Sequence, residues 1–205
     1  GSASVICSDK TGTLTRAEIT IERIVSASGI STVSGIGYAP KGEITHQGQA
    51  LASQAALCHE QQWVLCGGSL ASNATLEQDA AGQWLILGDP TEGAFLVAAG
   101  KLGAAGIDLQ RFERLAELPF DSDRKLMSVV LREPATGRLL LLTKGAPDVL
   151  LQRCVRVQHG NAQVDLDSRW QQRFQAETDA LSDAALRTLA VAWRELTPGQ
   201  AQQAD

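Results

Sequence analysis

The run Cys7-Ser8-Asp9-Lys10-Thr11-Gly12-Thr13-Leu14-Thr15 places a carboxylate at the tip of a short apolar segment, directly beside a lysine. That layout suits phosphoryl transfer to an aspartate: the carboxylate is the nucleophile, and a cation with a donor-rich turn holds the phosphate oxygens. Val5-Ile6-Cys7 reads as a buried strand of a parallel sheet, and Thr11-Gly12-Thr13 as the turn that supplies backbone N–H groups and hydroxyls. Ligands of open α/β sheets bind at such carboxyl strand ends. Two later residues also carry chemistry. Lys144 lies between an apolar strand and a helix start at Pro147, with Gly145 allowing close approach of backbone and ligand; the alternative is a solvated loop lysine. Phe120 follows Pro119 at the end of a strand candidate, where the ring can stack on a base or enter the core.

The elements that must position these residues follow from periodicity and turn chemistry. Residues 17–28 alternate as an extended segment through Ile19, Ile21, Ile24 and Val25, and the Gly-rich stretch 29–42 reads as a linker into an inserted domain. Residues 49–59 have helical spacing and 83–87 form a short strand. A second helix opens at Asp89 as N-cap, with Pro90 at the first helical position and Glu92 where a capping-box carboxylate reaches back; it runs to about Leu102. Strands are predicted at 112–118, 126–132 and 138–143, the last two joined by a turn at 134–137 into an antiparallel hairpin. Pro147 starts a short helix to about Arg153, and Val155-Arg156-Val157 and Val164 flank a His159-Gly160-Asn161 turn. The spacing Trp170, Phe174, Thr178, Leu181, Ala185 after Asp167 describes an amphipathic helix, and a last strand over 188–194 precedes Pro198-Gly199 and a polar tail.

With 205 residues, 44% hydrophobic and 20% charged, the chain is long enough to bury a real core. A net charge of −5 argues against a general nucleic-acid binder. The cysteines, Cys7, Cys58, Cys66 and Cys154, lack the spacing of a zinc site or a disulfide framework and read as reduced, mostly buried thiols of a cytosolic domain. Asn73-Ala74-Thr75 matches a glycosylation acceptor, which a cytosolic domain does not use. Apolar stretches such as 94–99 and 139–142 fall far short of the roughly 20 residues of a membrane helix. The P-loop and dinucleotide patterns fail: Leu102 stands where a P-loop needs Ser or Thr, and Gly35-Ile36-Gly37 lacks the third glycine.

The run DKTGTLT at 9–15 resembles the phosphorylation signature of the P-type ATPases, cation pumps of the haloacid dehalogenase superfamily. Three further blocks, in family order, resemble the nucleotide-binding domain of the calcium-type branch: Gly88-Asp89-Pro90-Thr91-Glu92-Gly93, the run from Pro119-Phe120-Asp121 to Lys125-Leu126-Met127-Ser128, and Lys144-Gly145-Ala146-Pro147. None of His46, His59 or His159 precedes a proline, unlike the His-Pro pair of the heavy-metal branch. The resemblance implies an α+β fold: a mostly antiparallel sheet flanked by helices, preceded by one strand of a haloacid-dehalogenase-like phosphorylation domain. It divides the chain into 1–23 (phosphorylation strand, loop and hinge), 24–196 (nucleotide-binding domain) and 197–205 (exit linker).

By that resemblance Asp9 accepts the phosphate, Lys10 and Thr11 help to hold it, and Asp9 with Thr11 binds Mg²⁺ together with acidic motifs (TGD, GDGxND) that this sequence lacks. Thr11 replaces the acid/base aspartate of the superfamily's phosphatases, so the aspartyl phosphate is expected to persist. ATP is the implied ligand. Phe120 would stack on adenine, Lys125 contact phosphate or ribose, Lys144 and Gly145 line the site, Arg187 reach phosphate and Leu189 pack on the base. Glu92 matches a family residue near the adenine as well as a capping-box position, and Arg187 also suits an ordinary helix-to-strand junction. Ser122 stands where the animal calcium pumps usually carry a phosphate-touching arginine, and Asp148, Ala17 and Ile19 are further departures. The expected whole is a monomeric, soluble piece of a pump, working on the cytosolic face of a membrane with the phosphorylation, actuator and membrane domains. It should bind nucleotide without turnover. The alternative is a stand-alone phosphatase or phosphotransferase of the dehalogenase superfamily with a cap domain.

Overall fold

In a computed structural model, which describes residues 18–201, the chain opens with β1 (Arg23–Ser26), β2 (Gly29–Val33), β3 (Ile44–His46) and β4 (Gln49–Ala50), an antiparallel sheet in sequential order. Residues 29–33 are thus a strand, not a linker. The tight Ala27-Ser28 turn lets Ile30 and Thr32 pair back on Val25 and Arg23, burying Ser31 and Val33. A 3-10 turn (Leu51–Ser53) then leads into α1 (Ala55–Leu70), which starts later and runs much further than the helical spacing of 49–59 predicts. The helix passes through Gly67-Gly68, a pair that weakens local helix propensity. Packing explains both glycines: a Cβ on Gly68 would lie 2.1 Å from the Phe95 ring, and one on Gly67 would lie 2.9 Å from Val191.

Next come the hairpin β5 (Thr75–Gln78) and β6 (Trp84–Leu87), then α2 (Pro90–Gly100). The principal sheet follows: β7 (Glu113–Asp121), β8 (Leu126–Glu133) and β9 (Arg138–Gly145). After it lie α3 (Pro147–Leu151), the hairpin β10 (Arg156–His159) and β11 (Ala162–Asp165), and α4 (Ser168–Asp183). The last elements are β12 (Ala190–Leu196) and the short α5 (Pro198–Ala201), where a linker was expected. The principal sheet is antiparallel in the order β12-β9-β8-β7. The expected α+β architecture is therefore present over the described residues, and no helix among them is long and apolar enough to cross a membrane.

Alternation along β8 and β9 decides the layers. Met127, Val129, Leu131, Leu140 and Leu142 form one apolar face, closed by Ala71 and by Trp63, Leu70, Phe112 and Trp193. Trp63 stacks on Trp193 with ring centroids 5.2 Å apart. The other side of α1 joins α2 and the first sheet in a second cluster that includes Ile24, Val33, Leu57, Leu65 and Phe95. α1 is thus the central layer. The opposite face of the principal sheet, with Val130, Leu141 and Thr143, looks across a cavity of about 1430 Å³ toward Leu150 and the apolar stripe of α4 at Phe174 and Leu181.

Candidate functional site

One row of residues, Asp121, Leu126, Gly145 and Ala190, crosses all four strands of the principal sheet where β7 and β9 finish and β8 and β12 begin. Phe120, Lys125, Lys144 and Leu189 each immediately precede a member of that row, and Arg187 comes shortly before Ala190. The antiparallel register therefore gathers at one sheet end five residues that span 120–189 in sequence. β7 is an edge strand and carries a register irregularity between Leu118 and Asp121, which accommodates Pro119 and leaves Phe120 60% exposed. Phe120 is not a core residue.

The β7–β8 turn is built by Asp121. Its carboxylate accepts hydrogen bonds from the Asp123 and Arg124 amides at 2.9 and 2.8 Å, its carbonyl accepts from the Lys125 amide at 2.6 Å, and Lys125 takes a positive φ of 56°. The Lys125 carbonyl in turn accepts from the Ala146 amide at 3.1 Å. This explains Gly145: a Cβ there would lie 2.1 Å from the Lys125 carbonyl oxygen. The close approach that the glycine allows is that of the neighbouring strand's backbone, not primarily of a ligand.

Lys144 faces the core side of the sheet between its cross-strand partners Met127 and Val191 and is only 6% exposed. Its ammonium donates to Glu92 Oε1 at 2.8 Å and sits 5.9 Å from the Phe95 ring centroid. Burial lowers the Lys144 pKa, opposed by the hydrogen bond and charge of Glu92. The second Glu92 oxygen accepts from the Asn73 amide at 2.7 Å and from Ser72 Oγ at 3.4 Å. Asp89 does cap α2, accepting from the Thr91 amide at 2.6 Å, but the Glu92 carboxylate does not close a capping box. A desolvated ammonium is a stronger partner for it than a backbone amide near solvent.

Arg187 is exposed, near enough to α2 for its charge to act on Asp89. Burial raises the Asp89 carboxyl, yet hydrogen bonds from Thr91 and Glu92 together with the Arg187 charge bring it below the usual range. Leu189 is half-buried against the cluster that contains Phe95 and Leu65. The large cavity reaches this end of the sheet at Arg124, Leu126, Arg187, Leu189 and Ala190 but is not lined by Phe120, Lys125, Lys144 or Gly145, so the candidate site is a shelf at the edge of that cavity. Asp9, Lys10 and Thr11 lie outside the described residues. Among the described residues no group of His, Cys, Asp and Glu is arranged to hold a metal.

A family model for the P-type ATPase cytoplasmic domain N matches residues 50–205. The chain belongs to the P-type ATPases. It is 39% identical over 207 residues to a calcium-transporting ATPase of Bacillus subtilis, covering 98% of this chain and 22% of that protein. It is 35% identical over 204 residues to calcium-transporting ATPase 1 of Lactococcus lactis, covering 98% of this chain and 20% of that protein. Calcium-transporting ATPase type 2C member 1 of Bos taurus is 31% identical over 195 residues, covering 94% of this chain and 20% of its own length. The chain thus spans about a fifth of the length of these relatives. In this P-type ATPase domain sequence reasoning did not find Arg114, Asn73 and Glu117, which surround the Glu92–Lys144 pair. They carry no motif, and Asn73 stood out only within a glycosylation pattern.

Proposed function

We propose that this chain is the nucleotide-binding part of a cation-transporting P-type ATPase, and that ATP binds on the shelf at the Asp121–Leu126–Gly145–Ala190 end of the principal sheet. The observation that supports this reading best is Lys144: a cation held 6% exposed by a single ion pair, at the same sheet end as an aromatic ring left 60% exposed. Burying an ammonium costs free energy even when it is paired, and large exposed aromatics away from interfaces need a reason. An adenine stacked on Phe120, with phosphates approached by Lys125 and Arg187, accounts for the exposed ring. Glu92 and Lys144 would lie beside the base, with Leu189 as apolar backing.

In the whole pump, the bound ATP delivers its γ-phosphate to Asp9, beside Lys10 and Thr11, and the aspartyl phosphate drives cation transport. Mg²⁺, which the resemblance assigns to Asp9 and Thr11 with acidic motifs elsewhere in the pump, would neutralise charge on the transferring phosphate. Working partners are the phosphorylation, actuator and membrane domains. The match of residues 50–205 lends no support to a stand-alone phosphatase.

The test is a titration of the chain with ATP or a non-hydrolysable analogue, followed by chemical shifts or tryptophan fluorescence, in wild type, Phe120→Ala and Lys144→Ala. Loss of base stacking alone is worth roughly 1–3 kcal/mol, so Phe120→Ala should weaken binding about fivefold or more. Absence of binding, or binding indifferent to both substitutions, would sink the proposal.

A further inference from the structure

We infer that Arg114 and Asn73 are positioning residues that set where the Lys144 ammonium stands, acting through Glu92; the inference rests on the nucleotide reading of the same site. Arg114 pairs with Leu131 across β7 and β8, so its side chain takes the sheet face on which α1 lies. There its guanidinium meets the end of α1. One nitrogen donates to the carbonyls of Leu70 and Ser72 at 2.6 and 2.7 Å; the other donates to Asn73 Oδ1 at 2.6 Å and to Glu117 Oε2 at 2.9 Å. Glu117 Oε1 closes the bracket by accepting from Asn73 Nδ2 at 2.7 Å. The last carbonyls of a helix lack intrahelical donors, and the planar fork of an arginine satisfies two carbonyl oxygens here while fixing the following turn.

That turn is what holds Glu92. The Asn73 amide donates to Glu92 Oε2 at 2.7 Å, while Oε1 takes the Lys144 ammonium at 2.8 Å. Each link from Arg114 through Asn73 and Glu92 to Lys144 is therefore a direct hydrogen bond. A glutamate side chain tethered at one oxygen keeps rotamer freedom and would carry the ammonium with it; tethered at both, it fixes the ammonium relative to β7. β7 is also the strand that carries Phe120, so the same strand sets the ring and, through Arg114, the buried cation.

The test compares wild type, Arg114→Gln, Asn73→Ala, Glu92→Gln and the Arg114→Gln/Glu92→Gln double variant of the full chain, labelled with ¹⁵N-lysine. Two quantities are read: the Lys144 Nζ resonance without nucleotide, assigned by its loss in Lys144→Met, and the ATP dissociation constant. Arg114→Gln and Asn73→Ala should each move the Lys144 resonance and weaken ATP about three- to tenfold, the equivalent of one hydrogen bond. In the Glu92→Gln background, Arg114→Gln should add nothing, because its route to Lys144 is already cut. An unmoved resonance with unchanged affinity, or penalties that add in the double variant, overturns the inference. If Arg114→Gln unfolds, Asn73→Ala decides, since its side chain is exposed and its backbone amide remains. If wild type does not bind ATP, the nucleotide reading fails, and the Lys144 resonance alone then upholds or overturns the positioning role.

Discussion

Removing Glu92 should cost the fold more than removing Lys144, although the two make one ion pair. The side chains are 17% and 8% exposed and meet at 2.8 Å, so solvent screening is weak. Glu92→Ala leaves the ammonium against Phe95 without its hydrogen-bond partner, and breaking a buried pair in this way costs about 3–5 kcal/mol. Lys144→Met leaves a carboxylate that still accepts from the Asn73 amide and Ser72 Oγ, and it keeps an apolar stem between Met127 and Val191. The expected cost is about 1 kcal/mol, close to the net value of one hydrogen bond. For a domain of this size 1 kcal/mol corresponds to about 2–4 °C in Tm, so Glu92→Ala should melt roughly 6–20 °C early and Lys144→Met only a few degrees. Circular dichroism melts at pH 7 read this directly. The pH dependence has a definite sign. Burial lowers the Lys144 pKa, and loss of Glu92 lowers it further. Between that depressed value and about 10.4 the folded state binds fewer protons than the unfolded one, so stability rises with pH. The Glu92→Ala deficit is thus full below the folded pKa and shrinks as pH climbs through it. If Lys144→Met melts as early as Glu92→Ala, or the deficit is the same at pH 7 and pH 10, the reasoning is wrong.

Two further expectations concern the frame around the site. Glu60 on α1 is 3% exposed and accepts from the Gly160 amide and from the amide and hydroxyl of Ser28, joining α1 to two hairpin turns. Burial raises its carboxyl, but those hydrogen bonds more than offset it and leave the pKa lowered. The stability it contributes is therefore present above an unfolded value of about 4.3 and lost as pH falls through the folded pKa; Glu60→Gln should be less stable by about 1–3 kcal/mol at pH 7 and show a flatter acid limb, and parallel acid-unfolding curves would contradict this. At Gly145, the added Cβ of an alanine meets a backbone carbonyl at 2.1 Å that is itself hydrogen-bonded, so Gly145→Ala should destabilise by about 3 kcal/mol in denaturant titration and weaken nucleotide binding; a wild-type unfolding midpoint would show that the β8–β9 spacing is looser than it stands here.

The parts legible in sequence are those that local chemistry fixes. Asp89-Pro90 opens α2, the Pro134-to-Gly137 turn joins β8 to β9, and the amphipathic spacing from Trp170 gives α4. Phe120, Lys125, Lys144 and Gly145 were legible as a group only through their motifs; what brings them together is the register of the antiparallel strands, which no single segment encodes. Elements decided by distant partners were misread. β2 looked like linker because its pairing with β1 buries only Ser31 and Val33, and α1 looked short because Gly67-Gly68 argues against helix until Phe95 and Val191 are packed on it. Glu92 shows the same effect at the site: a capping box is the locally obvious partner, and a lysine fifty residues away prevails because it is buried.

The two ends of the principal sheet are held by different means, and the difference bears on the site. At the far end, cross-strand ion pairs join Arg132 to Glu113 and Arg138 to Glu195, and Arg111 reaches Glu133. At the site end no ion pair joins one strand of the sheet to the next among the described residues; the strands are fastened by the Asp121 carboxylate on the turn amides and by the Lys125 carbonyl pressed against Gly145, while Lys144 pairs with Glu92 of α2. Among the described residues neither Lys125 nor Arg187 makes an ion pair there. Exposed ion pairs add little to stability, so the far end gains mainly register from its charges. At the site end, carboxylates spread across the strands in the same way would neutralise the cations that an arriving polyphosphate needs. The Asp121 carboxylate is itself taken up by the Asp123 and Arg124 amides, so this fastening leaves Lys125 and Arg187 without an ion pair, as the proposed nucleotide site requires.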